Sequence, residues 1–381
     1  MKSPINLYFN LSNLENLKVL HRCPSLLQIA KEPEDQYSLS LQAQNTDVEQ
    51  TPTILDNAAI YETSFLLTFS HVHTYCATYK RHDPKLPTRR ETLIMEDGGT
   101  VSLDWFELGD FKPDTPTIVM LHGLTGGSHE LYVQHCAHHA YRKKGFRSVV
   151  FNYRGCADNE VTADKTYSAA YTCDLKLVIK HIQQALPEAK LFAIGFSLGS
   201  CILVKYLSQV GENSPFIAHC SVSNPMDMRK SSVNLSSNFI NHKFYNQLLA
   251  NNLKGLFTKW GNRLEQYCSR AEVEKAVTIK DIDDLVTKRV FGYPTVDDYY
   301  IDGSSCNHIE AIKRPILFIS STDDPISPVC GLPFKKIKEN PHTILATTKY
   351  GGHLGFLHNM SLKDSSWMDQ AVLEYFTAYL N

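Results

Sequence analysis

No two of the ten cysteines in this 381-residue chain stand in C-x-x-C spacing, which sets aside zinc-ribbon and dithiol-redox motifs. The cysteines are scattered from Cys23 to Cys330, and Cys201 and Cys220 lie inside apolar stretches, the setting of buried free thiols in a reducing compartment. No apolar run reaches the length of about 18 residues that a membrane span needs. The nearest stretch, LFAIGFSLGSCILVKYL (191–207), is interrupted by glycines and serines. The N-terminal MKSPINLYFNLSNLENLKVLHRC has no long apolar centre and no small-residue cleavage site, so it is not read as a secretory leader. Blocks of like charge are missing too. The densest basic stretch, YKRHDPKLPTRR (79–90), is broken by prolines and an acid, and net charge is -2 with a pI of about 6.8. A basic nucleic-acid footprint is therefore not expected. No repeat of fixed period is present.

What remains is ordinary globular composition, 43% hydrophobic and 20% charged, in a length that suits one large α/β domain with an insertion. Residues 1–63 are weakly patterned and read as an N-terminal extension, partly mobile, with the polar stretch 31–53 at the surface. SFLLTFSHVHTYCATY (64–79) is apolar enough to dock on something. LIMEDGGTVSLDWF (93–106) predicts a hairpin around Asp97-Gly98-Gly99. Apolar strands are then expected at 117–121, 148–152, 191–194, 216–222, 315–320 and 343–348. Helices are expected at 128–144 with Ser128 as N-cap, at 167–186 and at 366–380. Continuous apolar strands alternating with helices mean a mostly parallel sheet covered on both faces. Residues 224–306 contain no clear core strand and read as a helical cap insertion, expected to form the lid and one wall of an acyl pocket, with Leu248, Leu249, Leu253, Leu256, Phe257 and Trp260 of FYNQLLANNLKGLFTKW (244–260) as a helical apolar stripe. The core accordingly divides into 64–223 and 307–381.

The central stretch is GFSLGS (195–200). It places Ser197 between two glycines where an apolar strand becomes a helix. Such a turn projects the serine at the carboxyl edge of the sheet, the nucleophile elbow of a G-x-S-x-G motif. A serine needs a base to take its proton. Two later strands end suitably: FISSTDDPISP carries Asp323 and Asp324, and TTKYGGHLGF carries His353. Ser197 is read as nucleophile, His353 as base and Asp324 as the acid that orients it, with Asp323 as the alternative. The glycine-rich LHGLTGGSHE (121–130) follows another strand. The backbone amides of Leu124 and Leu198 are assigned to an oxyanion hole, with Thr125 as the alternate first donor, and His122 to shaping this loop.

Two histidine groups invite a metal reading. His135, His138 and His139 have helical spacing, but no carboxylate joins them on that face; His71 and His73 alternate as on a strand, without a third ligand. No metal site is assigned to either.

The motifs together resemble the AB hydrolase 4 family, the YheT-like branch of the α/β hydrolases. They are EDGGTVSLDWF (96–106), LHGLTGGSHELYV (121–133), VVFNYRGCA (149–157), GFSLGS (195–200), FGYPTVDDYYIDGSS (291–305), DDPISP (323–328) and YGGHLGF (350–356), spanning roughly residues 64–375. The branch includes animal α/β-hydrolase domain-containing proteins. The resemblance implies the α/β-hydrolase fold, a triad at Ser197, Asp324 and His353, and acyl-ester substrates, often lipids. Some members of the family hydrolyse phospholipids and others transfer acyl groups to alcohols. The acyltransferase motif H-x-x-x-x-D of some members is not found here. The resulting expectation is a serine esterase or lipase acting on a fatty-acyl lipid or small ester, without metal or cofactor. It is expected in the cytoplasm, with peripheral contact to an intracellular membrane.

Overall fold

The structure, a computed structural model, describes residues 1–10, 12–27 and 59–380. The polar stretch 31–53 lies outside the described residues. Eleven strands are present among the described residues: β1 (Lys2–Pro4), β2 (Asn6–Phe9), β3 (Ile60–Glu62), β4 (Thr88–Ile94), β5 (Thr100–Phe106), β6 (Thr117–Leu121), β7 (Arg147–Asn152), β8 (Leu191–Phe196), β9 (Ala218–Val222), β10 (Ile316–Ser321) and β11 (Thr343–Thr348). Nine of them form one sheet in the order β2-β11-β10-β9-β8-β6-β7-β5-β4. The six strands from β7 to β11 in that order run parallel, and β2, β5 and β4 are antiparallel additions at the two ends. β4 and β5 are the hairpin read around Asp97-Gly98-Gly99, with Ile94 opposite Thr100.

The parallel strands are buried on both faces, so neither face is left to solvent. On β6, Val119 and Leu121 enter one core while Ile118 and Met120 enter the other. Helix α1 (Leu14–His21), α3 (Leu131–Lys144) and the C-terminal helix Trp367–Ala378 cover one face; α4 (Cys173–Ala185) and α5 (Leu198–Val210) cover the other. Between them, α2 (Ser70–Tyr75) continues into a wide helical turn over Cys76–Lys80. All ten cysteines are free thiols, seven of them buried.

Three local expectations differ from the structure. β2 joins the N-terminal segment to the sheet edge, with Phe9 opposite Ile344, because Leu7 and Phe9 have apolar surface on which to pack. α3 begins at Leu131 with Glu130 at its N-cap; the Ser128 hydroxyl is instead committed to the buried carboxylate of Asp104. His71 and His73 lie on a helix, not a strand.

Residues 224–306 contain helices and turns but no strand; α6 (Met228–Leu235), α7 (Gln247–Thr258) and the helix Val296–Gly303 are its main elements. The segment leaves after β9 and returns before β10, so it overhangs the carboxyl edge of the sheet, where the loops after β6, β8, β10 and β11 also converge.

Candidate active site

Ser197 occupies the sharp turn between β8 and α5 at φ 50° and ψ -118°, a conformation that a residue with a side chain seldom holds. The turn is tight enough to demand its glycines. A Cβ on Gly195 would lie 2.6 Å from the Gly199 carbonyl oxygen, and one on Gly199 would run into the carbonyl oxygens of Leu121 and His122. The Ser197 N–H donates to the Val222 carbonyl at 2.9 Å, tying the turn to the neighbouring strand.

The structure brings Ser197, His353 and Asp324 together although they lie on three separate loops. His353 Nε2 is 2.9 Å from Ser197 Oγ. His353 Nδ1 is 2.9 Å from Asp324 Oδ2 and 3.1 Å from Oδ1. With Nδ1–H donating to the carboxylate, Nε2 is left as the acceptor facing the serine. Asp324 is buried, and its Oδ1 also accepts the N–H groups of Ile326 and Ser327 at 2.8 and 2.9 Å. These donors hold the carboxylate in one orientation.

The neighbouring Asp323 points elsewhere. Its Oδ1 accepts the Gly352 N–H at 2.9 Å, while Oδ2 has no partner. Burial pushes this carboxyl up to about 6. Asp324 thus contacts the imidazole, and Asp323 braces the turn that carries it.

The loop after β6 faces Ser197. Thr125 N–H donates to Tyr167 Oη at 3.0 Å and Gly123 N–H to Tyr132 Oη at 2.9 Å. Leu124 and Leu198 both line the cavity above the serine, and neither N–H has a recorded partner among the described residues. Of the two amides considered for the first donor, Leu124 is therefore open and Thr125 is engaged. His122 is buried. Its Nδ1 donates to the Gly123 carbonyl, Nε2 accepts from the Tyr153 N–H, and burial depresses it to about 3. It props the loop as a neutral ring.

A cavity of about 1110 Å³ opens over the serine. Leu235, Leu248, Leu249 and Leu256 of the cap line it, as do Thr74, Tyr75 and Tyr79 from the segment around α2. The helical stripe of α7 divides. Leu248, Leu249 and Leu256 meet the cavity, whereas Leu253, Phe257 and Trp260 are buried in the core without lining it.

Residues 116–359 match the family described as the alpha/beta hydrolase fold. The chain belongs to the α/β hydrolase family. A Dictyostelium discoideum abhydrolase domain-containing protein is 48% identical over 384 residues, covering 100% of this chain and 95% of the relative. Human phospholipase ABHD3 is 34% identical, covering 77% of this chain and 73% of its own. Medium-chain fatty acid ethyl ester synthase/esterase 2 of Saccharomyces cerevisiae is 30% identical, covering 80% and 69%. Among solved structures, Est1E from Butyrivibrio proteoclasticus with bound ferulic acid superposes with a TM-score of 0.50 at 13% identity, covering 76% of this chain and 99% of that one. That likeness speaks to the fold.

This α/β hydrolase also has supports that sequence reasoning missed. Thr74 Oγ1 accepts the His353 N–H at 2.9 Å, and Ser223 Oγ accepts the Leu354 N–H at 3.1 Å. Tyr132 and Tyr167 hold the loop after β6. The aromatic spacing of LYVQH and KTYSA carried no local signal for these roles. Three of the five histidines of the metal-like groups have protein partners: His135 Nε2 donates to the His82 carbonyl, His71 Nδ1 meets Tyr245 Oη, and His73 sits between the Leu67 carbonyl and the Leu357 N–H. No group of metal-ligating side chains is assembled among the described residues.

One cap carboxyl offers a test of the cavity's polarity. Asp283 lines the cavity and accepts from Thr287 and Tyr300 hydroxyls, yet burial holds it up at about 6. Between an ordinary carboxyl value near 4 and about 6, the folded chain keeps a proton that the unfolded chain releases. Its contribution to stability therefore falls as pH rises through that window. Melting of Asp283→Asn against the parent should shift in favour of the variant between about pH 4 and about pH 7. A difference that stays flat across the range would mean that Asp283 ionises normally.

Proposed function

We propose that the protein is a serine hydrolase that cleaves carboxylic esters of fatty-acyl lipids through an acyl-enzyme, with Ser197 as nucleophile, His353 as base and Asp324 orienting the imidazole. The chain is a carboxylic ester hydrolase of the α/β hydrolase family, and a phospholipase and a medium-chain ester synthase/esterase are among its relatives. The observation that carries the proposal is His353 bridging Ser197 Oγ and Asp324 at the floor of a mostly apolar cavity.

In the proposed sequence Ser197 Oγ attacks the ester carbonyl while His353 Nε2 takes its proton. The resulting oxyanion lies against the open N–H groups of Leu124 and Leu198. His353 then protonates the departing alcohol; in the second half it takes a proton from the water that attacks the acyl-enzyme and returns it to Ser197 Oγ as the carboxylic acid leaves. Neither a metal nor a cofactor enters these steps. A fluorophosphonate should label Ser197, since it reacts with an activated serine; an unlabelled, folded protein would sink the proposal. If an alcohol replaces water in the second half, the product is a new ester. Product analysis with and without ethanol separates the two outcomes.

The cavity implies a preference for longer chains. Each buried CH₂ contributes about 0.8 kcal/mol, so kcat/KM should rise up to about fourfold per carbon between two-carbon and roughly eight-carbon acyl esters. Leu249→Ala, on the cavity side of α7, should flatten that rise and leave the two-carbon rate within about twofold. Equal losses at every chain length would show that α7 does not contact the acyl chain.

A further inference from the structure

Two exposed apolar stretches meet at the mouth of the cavity. One runs along the segment around α2, where Phe65 is 65% and Phe69 54% exposed. The other lies between α6 and α7, where Phe239 is 75% and Phe244 60% exposed. Tyr75, Tyr79 and Ile240, together with Phe244, are both open to solvent and part of the cavity lining, so they form its rim. The two sides are joined by His71 Nδ1 and Tyr245 Oη at 2.9 Å, with their rings stacked at 5.6 Å. Among the described residues nothing covers these rings. Contiguous exposed apolar surface of this kind marks an interaction site.

The charge around the rim is one-sided. From Met228 to Leu264 the chain has six lysines and arginines and no acid; Arg229 and Lys230 pair with Asp227 and Arg263 with Asp164, which leaves Lys243, Lys254 and Lys259 without a carboxylate among the described residues, and from Thr63 to His82 there is again no acid. Lys80, 5.6 Å above the Tyr75 ring, and Lys243, next to Phe244, are exposed on opposite sides of the mouth. Neither has a carboxylate partner among the described residues. Apolar rings set among unpaired lysines are complementary to a bilayer interface with anionic headgroups.

We propose that this rim docks the protein on a lipid bilayer that carries anionic headgroups, with the cavity mouth against the membrane. An acyl chain would then pass from the bilayer to Ser197 without crossing water. The identity of the passing molecule rests on the lipid-ester function proposed above; the docking itself does not.

The test uses the full chain carrying Ser197→Ala, which does not turn over lipid, co-sedimented with phosphatidylcholine vesicles with and without about 30% phosphatidylserine. Binding is expected with phosphatidylserine and much less without it. Adding Phe65→Ser, Phe69→Ser and Phe239→Ser, which do not line the cavity, should weaken binding about tenfold or more. Lys80→Glu with Lys243→Glu should weaken it similarly, as should raised salt. In the active background, the triple phenylalanine variant should keep the parent's rate on a water-soluble two-carbon ester, which shows that fold and site are intact. The proposal is overturned if the parent ignores mixed vesicles, if the triple variant binds them as well as the parent, or if binding is equal without phosphatidylserine. It is overturned as well if the parent is a dimer that the triple variant converts to a monomer, since the rim would then be a contact between two copies. Missing vesicle binding with ester hydrolysis intact counts against docking alone. Missing hydrolysis with vesicle binding intact counts against the function proposed above.

Discussion

Ser197→Ala is expected to lose on the order of 10⁶-fold in kcat on p-nitrophenyl acetate and to melt within about 2 °C of the parent. The loss is large because, among the described residues that line the cavity, Ser197 presents its hydroxyl to His353 Nε2, at 2.9 Å. What survives is the stabilisation of an oxyanion by backbone amides, which acts on water attack only weakly. The fold should persist because the turn is held by its backbone: Ser197 N–H to Val222, Ser200 Oγ to Gly195, and glycines where a Cβ would collide. Fluorophosphonate labelling should vanish together with the rate. A folded variant that retains a tenth of the parent activity would remove Ser197 from the chemistry.

The two adjacent aspartates should behave very differently. Asp324→Asn is expected to cost on the order of 10⁴-fold in kcat, because an amide in that place favours the imidazole tautomer with its proton on the serine side. Asp324 accepts from His353 Nδ1 and from two backbone N–H groups, so the carboxylate has no freedom to rotate away from the ring. Asp323→Asn keeps an acceptor for the Gly352 N–H and removes a carboxyl that burial already holds up at about 6. Its loss should stay within about tenfold. Steady-state kinetics of both variants on one soluble ester decides the matter. A larger loss at Asp323 would reverse the two roles.

Much of this site was legible in the chain because its parts are local. Ser197 directly follows an apolar strand, Asp324 and His353 lie in the loops after two others, and parallel strands put such loops on one edge. Gly195 and Gly199 announce a tight turn whatever else the chain does. The choice between Asp323 and Asp324 was not local. Adjacent residues in a turn point in different directions, and only the packing of the loop after β11 against the loop after β10 selects one of them. The same holds for Leu124 against Thr125, where a hydroxyl from Tyr167, forty-two positions away, occupies one amide.

The cap shows the same division. Helical spacing in FYNQLLANNLKGLFTKW marked an apolar stripe, yet spacing cannot tell a stripe that fills a core from one that faces a cavity, since both exclude water. In the fold, Leu253 and Phe257 take the first role and Leu249 the second. The stretch 64–79 was apolar enough to dock. That it docks as a cavity wall, with Thr74 reaching the backbone of a histidine 279 positions later, follows from where the sheet edge and the cap leave room. Similarly, the four residues of β2 carry too little periodicity to be read as a strand, and they become one because β11 presents an unpaired edge with Ile344 ready to meet Phe9. By itself the sequence determined the strand-helix alternation, the serine turn and the order of the catalytic candidates, because short-range periodicity and turn chemistry are written in neighbouring residues. Tertiary structure alone decided which carboxylate meets His353, which amide is left without a partner and which apolar faces line the cavity, because those depend on contacts between segments that no local pattern encodes.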